Sequence, residues 1–270
     1  MTTSAIDQHN APVPPMRARL AARDIAGVAK RNLLRIMRTP QLILIGALQP
    51  ALLLVLFRYV LGGAIRVPGG SYVDYVVPAI FIEAVLIGGM TTSIGLAQDL
   101  KSGIIDRFRS LPMARSAVLA GRTLADLTRS LLSLAIMVGL GVLVGFRFHA
   151  DAGSIIAGMA VIIAFGYAFS WVYAAIGLAT KDPETAQIAG ILPFFVLMFA
   201  SNAIVPVATM PSWLQGFAKN QPLSVTVSAV RALLEGGPAA HWVWQSLTWS
   251  AGIFLVFFAI ALRLYRTSTS

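Results

Sequence analysis

The chain has no cysteine, which excludes disulfide bridges and thiolate metal sites. Its three histidines, His9, His149 and His241, are scattered, and none stands in the H-E-x-x-H spacing of a metalloprotease helix. Lysine is scarce: Lys30, Lys101, Lys181 and Lys219 are the full set, and none follows a glycine. The loop G-x-x-x-x-G-K-S/T, whose backbone amides and lysine cradle nucleotide phosphates, is therefore missing. No serine occupies a G-x-S-x-G elbow. These absences speak against an ATP site of that kind and against an intramembrane hydrolase. No cofactor is expected on this chain.

Charge is scarce as well. Charged residues make up 12% of the 270 and apolar ones 57%, with a mean hydropathy of +0.77. A soluble domain carries about 25% charge, so this balance points to an integral membrane protein. A net charge of +10 is of the sign that a nucleic-acid partner selects. The basic residues instead sit between apolar runs, where the positive-inside bias accounts for them, and no nucleic acid is expected.

A bilayer core of about 30 Å needs roughly 20 apolar residues in a helix. Six runs qualify, at about 42–62, 76–98, 124–146, 154–179, 186–207 and 243–263. Residues 1–16, MTTSAIDQHNAPVPPM, are polar and carry Pro12, Pro14 and Pro15. They read as a disordered tail and lack the pattern of a secretory signal. With the N-terminus in the cytoplasm, fourteen Lys and Arg fall in cytoplasmic segments, against Arg66, Arg147, Lys219 and Arg231 outside. That asymmetry puts both termini in the cytoplasm.

Residues 17–39 read as an amphipathic helix. Ile25, Val28, Ala29, Leu33, Ile36 and Met37 share one face, and Lys30, Arg31, Arg35 and Arg38 gather on the other. Such a helix lies in the membrane interface with its cations toward anionic lipid headgroups, as a plain anchor or as an element that also passes motion into the first span. Pro40 ends it. Arg122, Asp126 and Arg129, at helical spacing, mark the third helix as starting outside the bilayer with paired charges. The link KDPETAQ offers Asp182 as a cap, Pro183 at the first helical position and Glu184 at the positive helix end.

Two further stretches are unusual. Residues 101–122, KSGIIDRFRSLPMARSAVLAGR, hold five basic side chains and Asp106. Ile104, Ile105, Phe108 and Leu111 form one face of a short helix over about 99–112, with Arg107 and Arg109 at its edges, before Pro112. It either rests on headgroups or docks in a groove of a partner protein. The external stretch of about 209–234 holds two helical pieces, roughly 211–218 and 222–234, broken at Lys219–Pro222 and too short to span. Trp213, Leu214 and Phe217 face lipid or protein from the first piece. A re-entrant hairpin and a helix pair lying flat on the outer surface are both open. Of the charges inside spans, Arg58 can snorkel outward. Glu83 is deep, and is either a structural partner of Arg58 or a backbone group, or a polar group lining a substrate path.

GIIDRFRSLPMARSAVLAGRTLAD at 103–126, KDPETAQ at 181–187 and NAIVPVATMPSWLQGFAKNQPLS at 202–224, in this order and with the six-run layout, resemble the type-two ABC exporter permeases, in the branch of the daunorubicin-resistance transmembrane proteins. The resemblance covers nearly the whole chain from about residue 20. It implies an all-α integral membrane protein of six transmembrane helices with an N-terminal amphipathic connecting helix (17–39), a permease domain (40–266), a cytoplasmic coupling helix and an external re-entrant hairpin. It further implies a transport subunit in the plasma membrane that pairs with a second permease chain, as a homo- or heterodimer. A separate ABC ATPase would supply ATP and Mg chemistry, with Ile104, Ile105, Arg107, Phe108, Arg109 and Leu111 seated in its cleft. Trp213, Leu214 and Phe217 would belong to the gate that closes the outer exit. The branch carries hydrophobic or amphipathic drugs and lipids. An exporter of polysaccharide or glycolipid, or a membrane module that only recruits a partner, are the alternatives.

The charge asymmetry is directly testable, because the chain has no cysteine of its own. An impermeant thiol reagent added outside intact cells should label Gly69→Cys and Gly237→Cys and leave Ser102→Cys unlabelled; the reverse pattern would overturn the orientation.

Overall fold

The computed structural model describes residues 40–63, 65, 67, 71–102 and 115–267. The expected tail, the connecting helix and the residues Ile104, Ile105, Arg107, Phe108, Arg109 and Leu111 lie outside the described residues. Among those described, the chain is helical and carries no strand. Helix α1, Pro40–Leu56, runs into a π-helical turn, Phe57–Leu61. It is followed by α2 (Tyr72–Lys101), α3 (Arg115–Leu143), α4 (Ala152–Thr180) and α5 (Pro183–Phe199). A short 3₁₀ turn, Val207–Thr209, leads to α6 (Ser212–Asn220), α7 (Pro222–Glu235) and α8 (Ala240–Thr267).

Among the described residues four helices are long and apolar enough to cross a membrane: α2, α3 from Asp126, α4 and α8. Leu48–Leu61 and α5 are shorter apolar helices. The apolar run expected to end near residue 207 stops being helical at Phe199. Ser201 explains the early stop: its hydroxyl donates to the Met198 carbonyl at 2.7 Å and accepts from the Ala203 amide at 3.1 Å. Such local bonds give the backbone an alternative to the helical ladder, and Pro206 cannot donate to one.

Helix α2 is the hub. Of its most apolar window 72% is buried, against 11% for α8, so α2 is central and α8 peripheral. It packs against α1, α3, α4, α5 and α7. Helices in lipid gain little from burying apolar surface against one another, and associate through close packing and polar contacts. Both devices are present. Val85, Gly89 and Ser93 of α2 meet Gly166, Tyr173 and Gly177 of α4 in ascending order, so the two helices run parallel. At Gly177 the contact is backbone to backbone. A Cβ there would collide with the Ser93 carbonyl oxygen and lie 2.9 Å from its Cα. Helix α3 runs antiparallel to α2, with Gly141 beside Phe81 near one end and Arg129 beside Gly88 toward the other.

The polar device sits between α2 and α3. Thr92 Oγ1 donates to Asp126 Oδ2 at 2.8 Å. Arg129 Nη2 donates to Asp126 Oδ1 at 2.8 Å and to the Gly88 carbonyl at 2.6 Å. Asp126 is only 7% exposed, and a buried carboxylate left unpaired would be costly. The pairing of Asp126 with Arg129 is the one their spacing predicts.

A second anchorage joins α2, α4 and α5 at the end where α2 stops. Lys181 closes α4 in the left-handed region, with φ 55°. Asp182 caps α5, accepting from the Thr185 amide at 3.1 Å with Pro183 in the first turn, as the motif predicts. Its other oxygen accepts from Lys101 Nζ at 2.8 Å, a role that helix starting alone did not suggest. Deeper in, Ser93 Oγ reaches the Ala186 carbonyl at 3.3 Å.

Two measurements check this packing. Gly177→Ala should lower the thermal midpoint in detergent by the equivalent of about 1–3 kcal/mol of overpacking. Gly190→Ala, whose nearest neighbours would stand 3.6 Å away, should leave it nearly unchanged. The Lys101 ammonium and then the Thr185 amide hold the Asp182 carboxyl down at about 2, from an ordinary 3.8. A lowered carboxyl stabilises the fold above the ordinary carboxylate range and loses that contribution as pH falls through its folded value. The gap in melting temperature between wild type and Asp182→Asn should therefore hold from about pH 7 to about pH 5 and close progressively between about pH 4 and about pH 2.

Candidate functional site

The stretch 209–234 forms two helices as expected, but the break is tighter than the sequence suggested. Lys219 and Asn220 belong to α6 and Pro222 to α7, so Gln221 alone separates them. Its backbone is extended, φ −68° and ψ 151°, the conformation a residue before proline prefers. It ends one helix and starts the next: the Gln221 amide donates to the Phe217 carbonyl at 3.0 Å, and its Oε1 accepts from the Leu223 amide at 3.2 Å. Its Nε2 donates to the Leu197 carbonyl at 2.9 Å, tying the bend to the end of α5.

The two arms differ in burial. In α7, eight of fourteen residues are buried, among them Leu223, Val227, Val230 and Leu234. In α6 only Ala218 of nine is buried. Trp213 is 79% exposed and Phe217 50%, and Leu214 is partly buried. The three aromatic and aliphatic side chains proposed for the gate therefore stand on the exposed arm.

A polar network fastens α7 to the bundle. Arg231 donates from Nε and Nη2 to the Tyr75 carbonyl, at 3.1 and 2.7 Å, and from Nη2 to the Asn202 carbonyl at 3.3 Å. Its guanidinium carbon lies 3.6 Å from the centre of the Tyr75 ring, a desolvated cation–π contact. Pro78, inside α2, cannot donate to the Asp74 carbonyl one turn back, and Arg231 donates to the neighbouring Tyr75 carbonyl. The Tyr75 hydroxyl donates to the Asn202 carbonyl at 2.8 Å, and Asn202 Nδ2 to Ser228 Oγ at 2.8 Å. Thr226 and Ser246 share a hydroxyl–hydroxyl bond of 2.8 Å between α7 and α8. The sequence counted Arg231 only among the external charges. The available signal was its position as the lone basic residue of an otherwise apolar amphipathic piece.

Glu83 lies about 16 Å along α2 from Tyr72, at 1.5 Å per residue. It is 1% exposed, and its Oε2 has no hydrogen-bond partner among the described residues. Arg58 is exposed, with its guanidinium 5.8 Å from the Tyr59 ring. Among the described residues no ion pair joins Arg58 to Glu83, so the structure does not bring these two together. Residues 99–101 form the last turn of α2, and Lys101 in that turn carries the ion pair to Asp182. No group of His, Cys, Asp and Glu suited to a metal ion occurs among the described residues.

An architecture of apolar helices agrees with what the chain is similar to. The profile of the family described as "ABC-2 type transporter" matches residues 24–234. The daunorubicin resistance ABC transporter permease protein DrrB1 of Streptomyces coeruleorubidus is 35% identical over 224 residues, 83% of this chain and 79% of that one. The probable doxorubicin resistance ABC transporter permease protein DrrC of Mycobacterium tuberculosis is 31% identical over 223 residues, 82% of this chain and 80% of its own. A putative transport permease, ycf38, of Cyanophora paradoxa is 26% identical over 241 residues, 85% of this chain and 79% of its own. The chain is a multi-pass membrane protein that belongs to the ABC-2 type transporter family, in the company of its drug-resistance permeases.

Proposed function

We propose that this chain is the permease subunit of an ATP-driven exporter that moves hydrophobic or amphipathic drugs or lipids out of the cell. The observation that carries the reading is the similarity, over four fifths of both chains, to a permease named for daunorubicin resistance. In this reading α1 with its π turn, α2, α3, α4, α5 and α8 cross the plasma membrane and both termini are cytoplasmic. The 17 residues of α5 reach about 25 Å at 1.5 Å per residue, a mismatch that local thinning of the bilayer absorbs.

Energy comes from a separate ABC ATPase that binds ATP and Mg. The segment 99–112 is its docking element, with Ile104, Ile105, Phe108 and Leu111 in a groove and Arg107 and Arg109 at the rim. The Lys101–Asp182 pair stands where that segment leaves α2. A second permease chain completes the path, and the α6–α7 hairpin closes its outer exit through Trp213, Leu214 and Phe217. Glu83, buried in α2, belongs to the wall of the path or to its support.

One preparation tests both ends. Removing a buried aromatic at a protein contact costs about 2 kcal/mol or more, so Phe108→Ala should weaken co-purification of the ATPase in detergent. Reversing the charge of Arg107 or Arg109, at a solvated rim, should cost less. Trp213→Ala and Phe217→Ala should keep the ATPase bound and reduce daunorubicin efflux. Full ATPase binding and full efflux in Phe108→Ala would overturn the docking assignment, and unchanged efflux in both hairpin variants would overturn the gate.

A further inference from the structure

We infer that the external hairpin has one fixed arm and one moving arm: α7 is held to the bundle by Arg231, acting as a positioning residue, and α6 turns about Gln221. The inference rests on the reading of the hairpin as the outer gate.

The two arms are connected to the bundle very differently. Every face of α7 that carries chemistry is engaged. Arg231 grips the Tyr75 and Asn202 carbonyls and the Tyr75 ring. Ser224 and Ser228 hold the backbone and side-chain amides of Asn202, at 3.1 and 2.8 Å. Thr226 holds Ser246, and the Leu234 carbonyl accepts from the His149 amide at 3.1 Å. These bonds reach α2, α8 and the segments that follow α3 and α5. A half-buried guanidinium paired with carbonyls and a ring cannot be withdrawn without leaving those acceptors short of donors.

By contrast, the hydrogen bonds of α6 are local among the described residues. Gln215 Nε2 reaches the Met210 carbonyl at 2.8 Å, and Asn220 Nδ2 reaches the Gly216 carbonyl at 2.9 Å. Trp213 and Phe217 are exposed on it, while Leu214 is partly buried and Ala218 buried. Between the arms, Gln221 is fixed by its side chain to the end of α5 while its own backbone is the sole non-helical joint. Held in place at the one break between α6 and the clamped α7, Gln221 is the point about which α6 turns.

The test uses the full chain with its co-purifying ATPase. The Thr226 and Ser246 oxygens face each other at 2.8 Å, and the pair Thr226→Cys, Ser246→Cys would be the only thiols in the chain; disulfide formation on oxidation is checked by mass. Oxidation should lock α7 to α8 and leave daunorubicin efflux within about twofold of the reduced protein. Efflux that collapses on oxidation and returns with dithiothreitol, while Trp213→Ala also impairs it, means that α7 moves and overturns this inference alone.

A second arm addresses Arg231. In the reduced two-cysteine protein, Arg231→Gln should cut efflux about tenfold or more, the equivalent of losing hydrogen bonds to a charged group, while ATP hydrolysis continues. Oxidation should restore efflux, because the covalent clamp replaces the lost one. Arg231→Lys should fall between. A loss that oxidation does not repair overturns the positioning role. If Trp213→Ala and oxidation both leave efflux unchanged, the gate reading falls and this inference with it.

Discussion

The close approach of α2 and α4 is the contact on which the other elements depend. At Gly177 the two backbones meet with no side chain between them, and at Gly89 the ring of Tyr173 occupies the space a Cβ would take. In water such a contact would be one of many. In a bilayer, where lipid tails solvate apolar side chains as well as a neighbouring helix does, the loss of a close-packed seam has no hydrophobic substitute. Because α2 and α4 are joined along their length, α3, α5, α7 and α8 have a rigid pair to pack against.

Polar groups then decide which helices are joined at which depth. One network, Thr92 with Asp126 and Arg129, fastens α2 to α3. Another, Arg231 with Tyr75 and Asn202, fastens α2 to α7 and to the turn after α5. Both contain a guanidinium that satisfies backbone carbonyls, which arginine's fan of donors suits better than a single ammonium would. Both involve α2, one near its start at Tyr75 and one past its middle at Gly88 and Thr92, so a displacement of that helix is felt by both. Lys101 adds a third tie, to α5 through Asp182.

The sequence made the helical class and the long apolar runs readable, because hydropathy over a span length is a direct consequence of bilayer thickness. Asp182 and Pro183 announced the start of α5 through cap chemistry that is local in sequence. The Asp126–Arg129 pair was readable for the same reason. What was not readable depended on distance in the fold. Nothing near Arg231 in the sequence points to Tyr75, 156 positions away, and no spacing rule gives Lys101 to Asp182. The end of α5 was missed because hydropathy continues past Phe199, while the side-chain bonds of Ser201 that stop the helix carry no hydropathy signal. Glu83 shows the limit from the other side: its depth was clear from the sequence, but the suggested partner, Arg58, turns out to be exposed beside Tyr59. Gln221 was within reach, since a residue before proline is biased to extended backbone, yet the surrounding polar run blurred the break over four positions.

Gln221 also limits how this region can change over evolutionary time. Many helical hairpins have a loop between their helices that absorbs extra residues. Here a single residue closes one helix, opens the next and reaches back to α5, leaving no spare length. Inserting one residue would rotate α6 by about 100° relative to α7, at 3.6 residues per turn, and carry Trp213 and Phe217 to a different side. The hairpin can therefore diversify by exchanging side chains along α6, and its length is held constant by the geometry of its bend.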